Sequence, residues 1–119
     1  MTVLIVDDNR LMRGMVRAVV TPLDSVVHEC ADGDEAVARC AALKPDWVLM
    51  DVSMPRMDGL TATRQIMASV PGTRVLIVTE HADPALRTAA VAAGARGYVL
   101  KENLFEILDY LTSAGSENQ

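Results

Sequence analysis

The chain is organised around the segment Val48-Leu49-Met50-Asp51-Val52-Ser53-Met54-Pro55-Arg56-Met57-Asp58-Gly59. Its apolar beginning stops at a carboxylate, and turn residues of the proline and glycine type follow. A short apolar run bounded by turn signals is typical of a strand covered on both faces, as in a parallel sheet. Asp51 would then lie at the carboxyl end of that strand, where open α/β sheets bind their ligands.

The composition of the 119 residues fits one compact domain. Hydrophobic residues make up 50% and charged residues 23%, so the chain can bury a single core. The net charge of −5 argues against direct nucleic-acid binding, because such binding relies on Lys and Arg that neutralise phosphates. The first strand has no basic flank and meets acids at once, which indicates neither a signal peptide nor a membrane span. We expect a soluble, cytoplasmic domain.

Five short apolar runs are predicted strands, and each is followed by a segment of helical spacing. The runs are residues 3–6, 25–30, 46–51, 74–78 and 96–100. Four of the helices begin beside a capping residue, namely Asn9 or Asp8, Asp32, Asp83 and Asn103. This alternation predicts right-handed crossovers and a five-stranded parallel sheet between two helical layers, a three-layer α/β/α fold.

Cys30 and Cys40 lack the spacing of metal ligands, and no histidine cluster accompanies them. We therefore predict that both are small buried hydrophobes. Most of the methionines are predicted to fill the core in the same way.

Polar side chains follow four of the five predicted strands. They are Asp7, Asp8, Asp51, Thr79 and Lys101. Each has an ordinary alternative, as a helix cap, a turn acid, a loop hydroxyl or a solvated cation. Together, three crowded carboxylates repel one another and favour a cation, and an all-oxygen ligand set favours Mg²⁺ or Mn²⁺. A nearby lysine and hydroxyl could contact the oxygens of a phosphoryl group.

In order and spacing these residues resemble the receiver domains of two-component response regulators. The matching positions are Asp7-Asp8, Asp51-Val52-Ser53-Met54-Pro55, Asp58-Gly59, Thr79 and Tyr98-Val99-Leu100-Lys101. The resemblance implies a flavodoxin-like sheet with the strand order 2-1-3-4-5. It also implies that the domain promotes only its own phosphorylation and slow dephosphorylation, and is otherwise not an enzyme.

The resemblance implies a role for each residue at the acidic end of the sheet. Asp51 would accept a phosphoryl group from a phosphohistidine of a partner kinase. Asp8 would bind Mg²⁺ directly and Asp7 mainly through water, with the backbone carbonyl of Ser53 as a further ligand. Lys101 would pair with the phosphoryl oxygens.

The resemblance assigns a switch role to two further residues. Thr79 would move to donate a hydrogen bond to the new phosphate, and Tyr98 would turn inward as Thr79 moves. The alternative for Tyr98 is an aromatic residue on an edge strand with its hydroxyl in water.

The resemblance implies a sensor histidine kinase or a phosphotransfer protein as partner. The first helix could contact it through an exposed surface near Leu11 and Met15. A dimer could form through the face of helix 4, strand 5 and helix 5, and the alanine-rich fourth helix is a part that could shift. That helix and the segment that follows resemble receivers that precede a helix-turn-helix DNA-binding domain.

We therefore expect a receiver domain over residues 1–114 and a tail or the start of a linker over residues 115–119. The output would be transcription through an effector domain absent from this chain. The alternative is a stand-alone regulator that acts by protein–protein contact.

Two unrelated classes fit less well. An aspartyl-phosphate hydrolase of the haloacid dehalogenase kind has a second acid two residues after its nucleophile, where this chain has Ser53. A flavodoxin-like cofactor module cradles a phosphate in its first loop, where Asp7 and Asp8 would repel one.

Overall fold

A computed structural model describes residues 1–113, whose five strands form one parallel sheet. The strands are β1 (Thr2–Val6), β2 (Val26–Cys30), β3 (Trp47–Met50), β4 (Arg74–Thr79) and β5 (Gly97–Leu100). Their order is β2-β1-β3-β4-β5, so the predicted sheet and strand order are confirmed. The predicted tail over residues 115–119 and the boundary at 114 lie outside the described residues.

Helices cover both faces of the sheet and complete the predicted three layers. They are α1 (Arg10–Val20), α2 (Gly33–Leu43), α3 (Gly59–Ser69), α4 (Pro84–Ala93) and α5 (Glu106–Ser113). In β1 the side chains of Leu4 and Val6 point to the core beneath α2, α3 and α4, whereas Val3 and Ile5 point to the core beneath α1 and α5. This alternation is the two-residue period of a strand buried on both faces. No helix within residues 1–113 has the length and apolar character needed to cross a bilayer.

Side-chain caps begin the helices largely where the sequence predicts. Asn9, and not Asp8, caps α1, because its side chain accepts a hydrogen bond from the backbone N–H of Met12. Asp83 caps α4, and Gly94 ends it with φ at 106°, a left-handed conformation that suits glycine. The predicted start of the last helix at Asn103 is wrong. Residues Lys101–Asn103 form a short 3-10 turn, and α5 begins only at Glu106, because the backbone N–H groups of Ile107 and Leu108 donate to carbonyls three residues back and not four.

Both cysteines are buried and unpaired, as predicted. Burial raises the pKa of Cys30 to about 12 and that of Cys40 to about 11, so both thiols stay protonated at neutral pH. Of the methionines, Met50 is fully buried, but Met15 is 48% exposed. The prediction that the methionines fill the core is therefore wrong for Met15. This residue lies with Leu11 on the outer surface of α1, where an exposed surface is predicted as the alternative.

Candidate functional site

Three carboxylates meet at the carboxyl end of the sheet. Asp7 follows β1 and Asp51 follows β3, and these two strands pair in register up to Val6 and Met50. Asp8 follows directly, and carboxylate oxygens of all three acids lie within 4.8 Å of one another. Asp7 and Asp51 are buried, whereas Asp8 is exposed. The fold therefore brings together the acids that the sequence places far apart.

Lys101 completes this cluster from the end of β5. Its Nζ atom lies 2.8 Å from Oδ2 of Asp7 and 3.2 Å from Oδ1 of Asp51, with only 12% of the side chain exposed. Burial lowers the pKa of Lys101, but the hydrogen bond to Asp7 and the charge of Asp51 outweigh it, so the pKa is raised overall. The side chain is thus a fixed ammonium group between two acids.

The pKa of Asp51 is raised by its surroundings. Burial raises its pKa, the charge of Asp7 raises it further, and Lys101 partly opposes them, which leaves the pKa at about 6. Its backbone N–H donates to the carbonyl of Val6 at 2.9 Å, so its main chain is fixed to β1. A second cation near this carboxyl group would favour its ionised form.

The carboxylates of Asp7 and Asp8 differ in their surroundings. Asp7 Oδ1 accepts a hydrogen bond from the backbone N–H of Asn9 at 2.8 Å, and Oδ2 faces Lys101. Within residues 1–113 the carboxylate of Asp8 makes no hydrogen bond or ion pair. Asp8 can therefore give its oxygens to an ion directly, whereas both oxygens of Asp7 are engaged. Three close oxygen donors without nitrogen or sulfur fit a hard divalent cation.

Arg13 supports Asp7 and was not singled out from the sequence. Its Nη1 atom donates to the carbonyl oxygen of Asp7 at 2.7 Å, and its Nε atom lies 2.9 Å from Oε1 of Glu29. No local pattern could have revealed this contact, because it depends on how α1 lies across β1 and β2.

Thr79 and Ser53 lie near this cluster without bonding to it. Thr79 ends β4, beside the strand that precedes Asp51, and its Oγ1 accepts from the backbone N–H of His81 at 3.3 Å. Ser53 is exposed in the loop after β3. In the part of the chain that the structure describes, neither side chain forms a hydrogen bond with the three acids or Lys101.

Tyr98 is buried behind the start of α4. Its hydroxyl accepts a hydrogen bond from the backbone N–H of Asp83 at 3.4 Å, and the guanidinium of Arg87 lies 4.9 Å from its ring centroid. The alternative of an edge tyrosine with its hydroxyl in water is therefore wrong. The ring is held by contacts from α4, so a movement of α4 would be felt by Tyr98.

Comparison with known proteins agrees with the family that the sequence resembles. The family model described as response regulator receiver domain matches residues 3–111. The chemotaxis protein CheY of Thermotoga maritima is 37% identical over 100 residues, which are 83% of this chain and 83% of the relative. The transcriptional regulatory protein DegU of Brevibacillus brevis is 36% identical over 102 residues, 84% of this chain but only 43% of the relative. The chain thus spans less than half of that regulator.

A solved structure has the same fold over nearly the whole chain. It is the crystal structure of a two-component response regulator of the LuxR family from Aurantimonas sp. SI85-9A1. The TM-score is 0.87 at 33% sequence identity, and the match covers 95% of this chain and 83% of the solved one.

Proposed function

This chain belongs to the response regulator receiver domain family, and we propose that Asp51 is its phosphoryl acceptor. The observation that carries the proposal is the buried carboxylate of Asp51 beside the Lys101 ammonium, with two more acids within reach. In the transfer, the N–P bond of a donor phosphohistidine breaks and an Asp51 oxygen bonds to phosphorus. The products are an acyl phosphate and the released imidazole.

We infer that Mg²⁺ or Mn²⁺ occupies the acidic cluster. Asp8 and Asp51 would bind the ion directly, the backbone carbonyl of Ser53 would add a ligand, and Asp7 would act through water. This division is supported by the engaged carboxylate of Asp7 and by that of Asp8, which has no partner among the residues that the structure describes. When bound, the ion neutralises charge on the transferring phosphoryl group.

The remaining polar groups would bind the product. The ammonium of Lys101 would exchange the Asp51 carboxylate for a phosphoryl oxygen, since it already lies at hydrogen-bond distance from that carboxylate. The hydroxyl of Thr79 would leave the N–H of His81 and donate to the phosphate. Tyr98 would respond to a movement of α4, because its ring and hydroxyl are in contact with Arg87 and with Asp83, the residue that caps α4.

A histidine kinase or a phosphotransfer protein would be the donor. Leu11 and Met15 on α1 and Phe105 in the turn before α5 are exposed apolar side chains, and Leu11 and Phe105 are each 77% exposed. This exposed apolar surface supports the outer face of α1 as the docking surface. We also propose that α4, β5 and α5 form the face of a dimer. We further propose a cytoplasmic location and no enzymatic turnover beyond the domain's own phosphorylation and slow dephosphorylation, and membership of the family supports both.

The output is a further part of the proposal. Residues 1–114 would be the receiver domain and residues 115–119 a tail or the start of a linker, with transcription controlled by an effector domain outside this chain. The partial match to DegU supports it, whereas the match over most of a CheY protein supports a stand-alone regulator.

Phosphorylation can be tested with acetyl phosphate and MgCl₂, followed by intact-mass measurement. We expect the wild type to gain the mass of one phosphoryl group and Asp51→Asn to gain none. Asp24→Asn is the matched control, because Asp24 is exposed and lies outside the site, and it should be labelled like the wild type. Equal labelling of Asp51→Asn, or no labelling of the wild type, would overturn the proposal.

A further inference from the structure

The loop between β3 and α3 carries Asp51 at its beginning and Ser53 two residues later. Its two ends are fixed by main-chain hydrogen bonds. The N–H of Asp51 donates to the carbonyl of Val6, and the N–H of Gly59 donates to the carbonyl of Val52, each at 2.9 Å. Neither bond reaches the middle of the loop.

Asp32, at the start of α2, holds that middle part. Its Oδ2 atom accepts from the backbone N–H of Arg56 at 3.0 Å, and its Oδ1 atom accepts from the backbone N–H of Met57 at 3.1 Å. Asp32 is only 3% exposed. These are the two hydrogen bonds that hold the backbone at the centre of the loop to α2, and the side chain of Arg56 adds a third contact, from Nη2 to Oδ1 of Asp34 at 3.3 Å. From the sequence, Asp32 is predicted only to cap α2, and the structure shows that it also does so, through the N–H of Asp34.

The carboxylate of Asp32 is suited to this contact. Burial raises its pKa, but the backbone hydrogen bonds from Arg56 and Asp34 outweigh burial, and the pKa is lowered overall. The side chain is therefore ionised at neutral pH and accepts at both oxygens.

Gly33 lets α2 approach the loop closely. A Cβ atom at this position would overlap the carbonyl oxygen of Met57, and it would lie 3.1 Å from the Cβ of Ala62 in α3. The first turn of α2 is thus in direct contact with the backbone of the loop that Asp32 binds.

From these contacts we infer that Asp32 is a positioning residue of the acceptor site, which holds the loop so that Ser53 keeps its place beside Asp51. The inference rests on the proposed function. Within residues 1–113 Asp32 makes no hydrogen bond with Asp7, Asp8, Asp51 or Lys101, and it acts through the backbone of Arg56 and Met57. Groups that orient metal ligands in this way commonly change metal affinity by about 10- to 100-fold.

The test is calorimetric titration of the unphosphorylated protein with MgCl₂. In Asp32→Asn an amide replaces one accepting oxygen, so we expect the Kd for Mg²⁺ to rise by about 10-fold or more. The labelling rate with acetyl phosphate should fall at low Mg²⁺ and return close to that of the wild type at saturating Mg²⁺, because every ligand is still present. In a variant that is fully folded before Mg²⁺ is added, a residue that only stabilises the fold would not give this dependence on Mg²⁺.

Asp58→Asn is the matched control. Asp58 also accepts two backbone hydrogen bonds, from Leu60 and Thr61, but it caps α3 and leaves the loop contacts of Asp32 in place. We expect its Kd for Mg²⁺ to stay within about twofold of the wild type, since the contacts between Asp32 and the loop do not change. Equal values for Asp32→Asn and Asp58→Asn would overturn the inference.

Gly33→Ala provides an independent variant, because its methyl group would displace the loop while Asp32 remains. It should weaken Mg²⁺ binding in the same direction, and it decides alone if Asp32→Asn does not fold. Unchanged Mg²⁺ affinity in a folded Gly33→Ala would contradict the inference. Failure of the wild type to be labelled would instead contradict the proposed function, so the two failures are distinguishable.

Discussion

The Nζ atom of Lys101 lies 3.2 Å from Oδ1 of Asp51, although β4 separates the strands that these residues follow. The lysine therefore reaches across the end of β4, where Thr79 lies. The same ammonium group also pairs with Asp7, so a change of charge at Asp51 alters the strength of the ion pair between Lys101 and Asp7. Phosphorylation of Asp51 would add negative charge to this shared contact.

The raised pKa of Asp51 predicts a gain in stability for Asp51→Asn. Because the pKa is about 6 in the folded protein against 3.8 as the ordinary value, ionisation of Asp51 destabilises the fold. That destabilisation is absent when the pH is below the ordinary pKa, and it is complete when the pH is above the pKa of the folded protein. Without metal, the variant should exceed the wild type in free energy of unfolding by up to about 3 kcal/mol at neutral pH. The difference should vanish in acid, which denaturant unfolding in EDTA would measure, and a pH-independent difference would contradict the assignment.

Lys101→Met should separate metal binding from phosphoryl transfer. Loss of the ammonium leaves Asp7 and Asp51 unpaired, which lowers the free energy of unfolding without metal by about 2 kcal/mol. Mg²⁺ should bind more tightly, since a competing cation is gone, yet labelling by acetyl phosphate should slow by at least about 10-fold. Lys44→Met is the control, because Lys44 is exposed at the end of α2, and it should change none of the three quantities. Weaker Mg²⁺ binding in Lys101→Met would count against this account.

Glu29 joins α1 to β2 through Arg17 and Arg13, at 2.6 and 2.9 Å. The hydrogen bond from Arg17 lowers the pKa of Glu29, against a smaller opposing effect of burial. The contribution of Glu29 to the free energy of unfolding is therefore fully present when the pH is above the ordinary pKa. It is lost as the pH falls through the lower pKa of the folded protein. Glu29→Gln should lose about 1 kcal/mol at neutral pH, since the pair is partly exposed. A double-mutant cycle with Arg17→Met would give the coupling, and additive effects would show that the pair contributes nothing.

Gly97 in β5 leaves room for the ring of Tyr110, which packs against it from α5. A Cβ at Gly97 would overlap that ring, so Gly97→Ala should destabilise the protein by about 1–3 kcal/mol in denaturant unfolding. Adding Tyr110→Ala should relieve part of the loss. Gly14→Ala is the control, because no atom of residues 1–113 lies within 4 Å of its added Cβ and helix α1 gains stability from alanine. If the double variant is as unstable as the sum of the single ones, the steric explanation fails.

Helix α4 buries only Ala90 and Ala93, which gives it little apolar contact with the sheet. We expect its amides to exchange faster than those of β1 and β3, in the absence and in the presence of phosphate. Hydrogen exchange followed by mass spectrometry of peptides would measure this. Equal protection of α4 and the central strands would argue against α4 as a mobile part of the switch.

Several site features were beyond sequence reasoning because they depend on the direction of side chains. Asp32 has the local pattern of a helix cap, and its second role depends on a loop more than twenty residues away. Arg13 reaches the carbonyl of Asp7 only because α1 crosses β1 at that point. Tyr98 has the pattern of an exposed strand residue, but α4 covers it.

The sequence by itself determined the five apolar runs, the order of strands and helices, and the polar residues that end the strands, because these depend on local periodicity and on capping chemistry. Parallel strands then place Asp7, Asp51 and Lys101 at one edge. Only the tertiary structure decided how the charges are shared: both oxygens of Asp7 are engaged, the carboxylate of Asp8 makes no hydrogen bond or ion pair within residues 1–113, and the pKa of Asp51 is raised. The reason is that burial and hydrogen bonding act over a few ångströms in space, and separation along the chain does not report that distance.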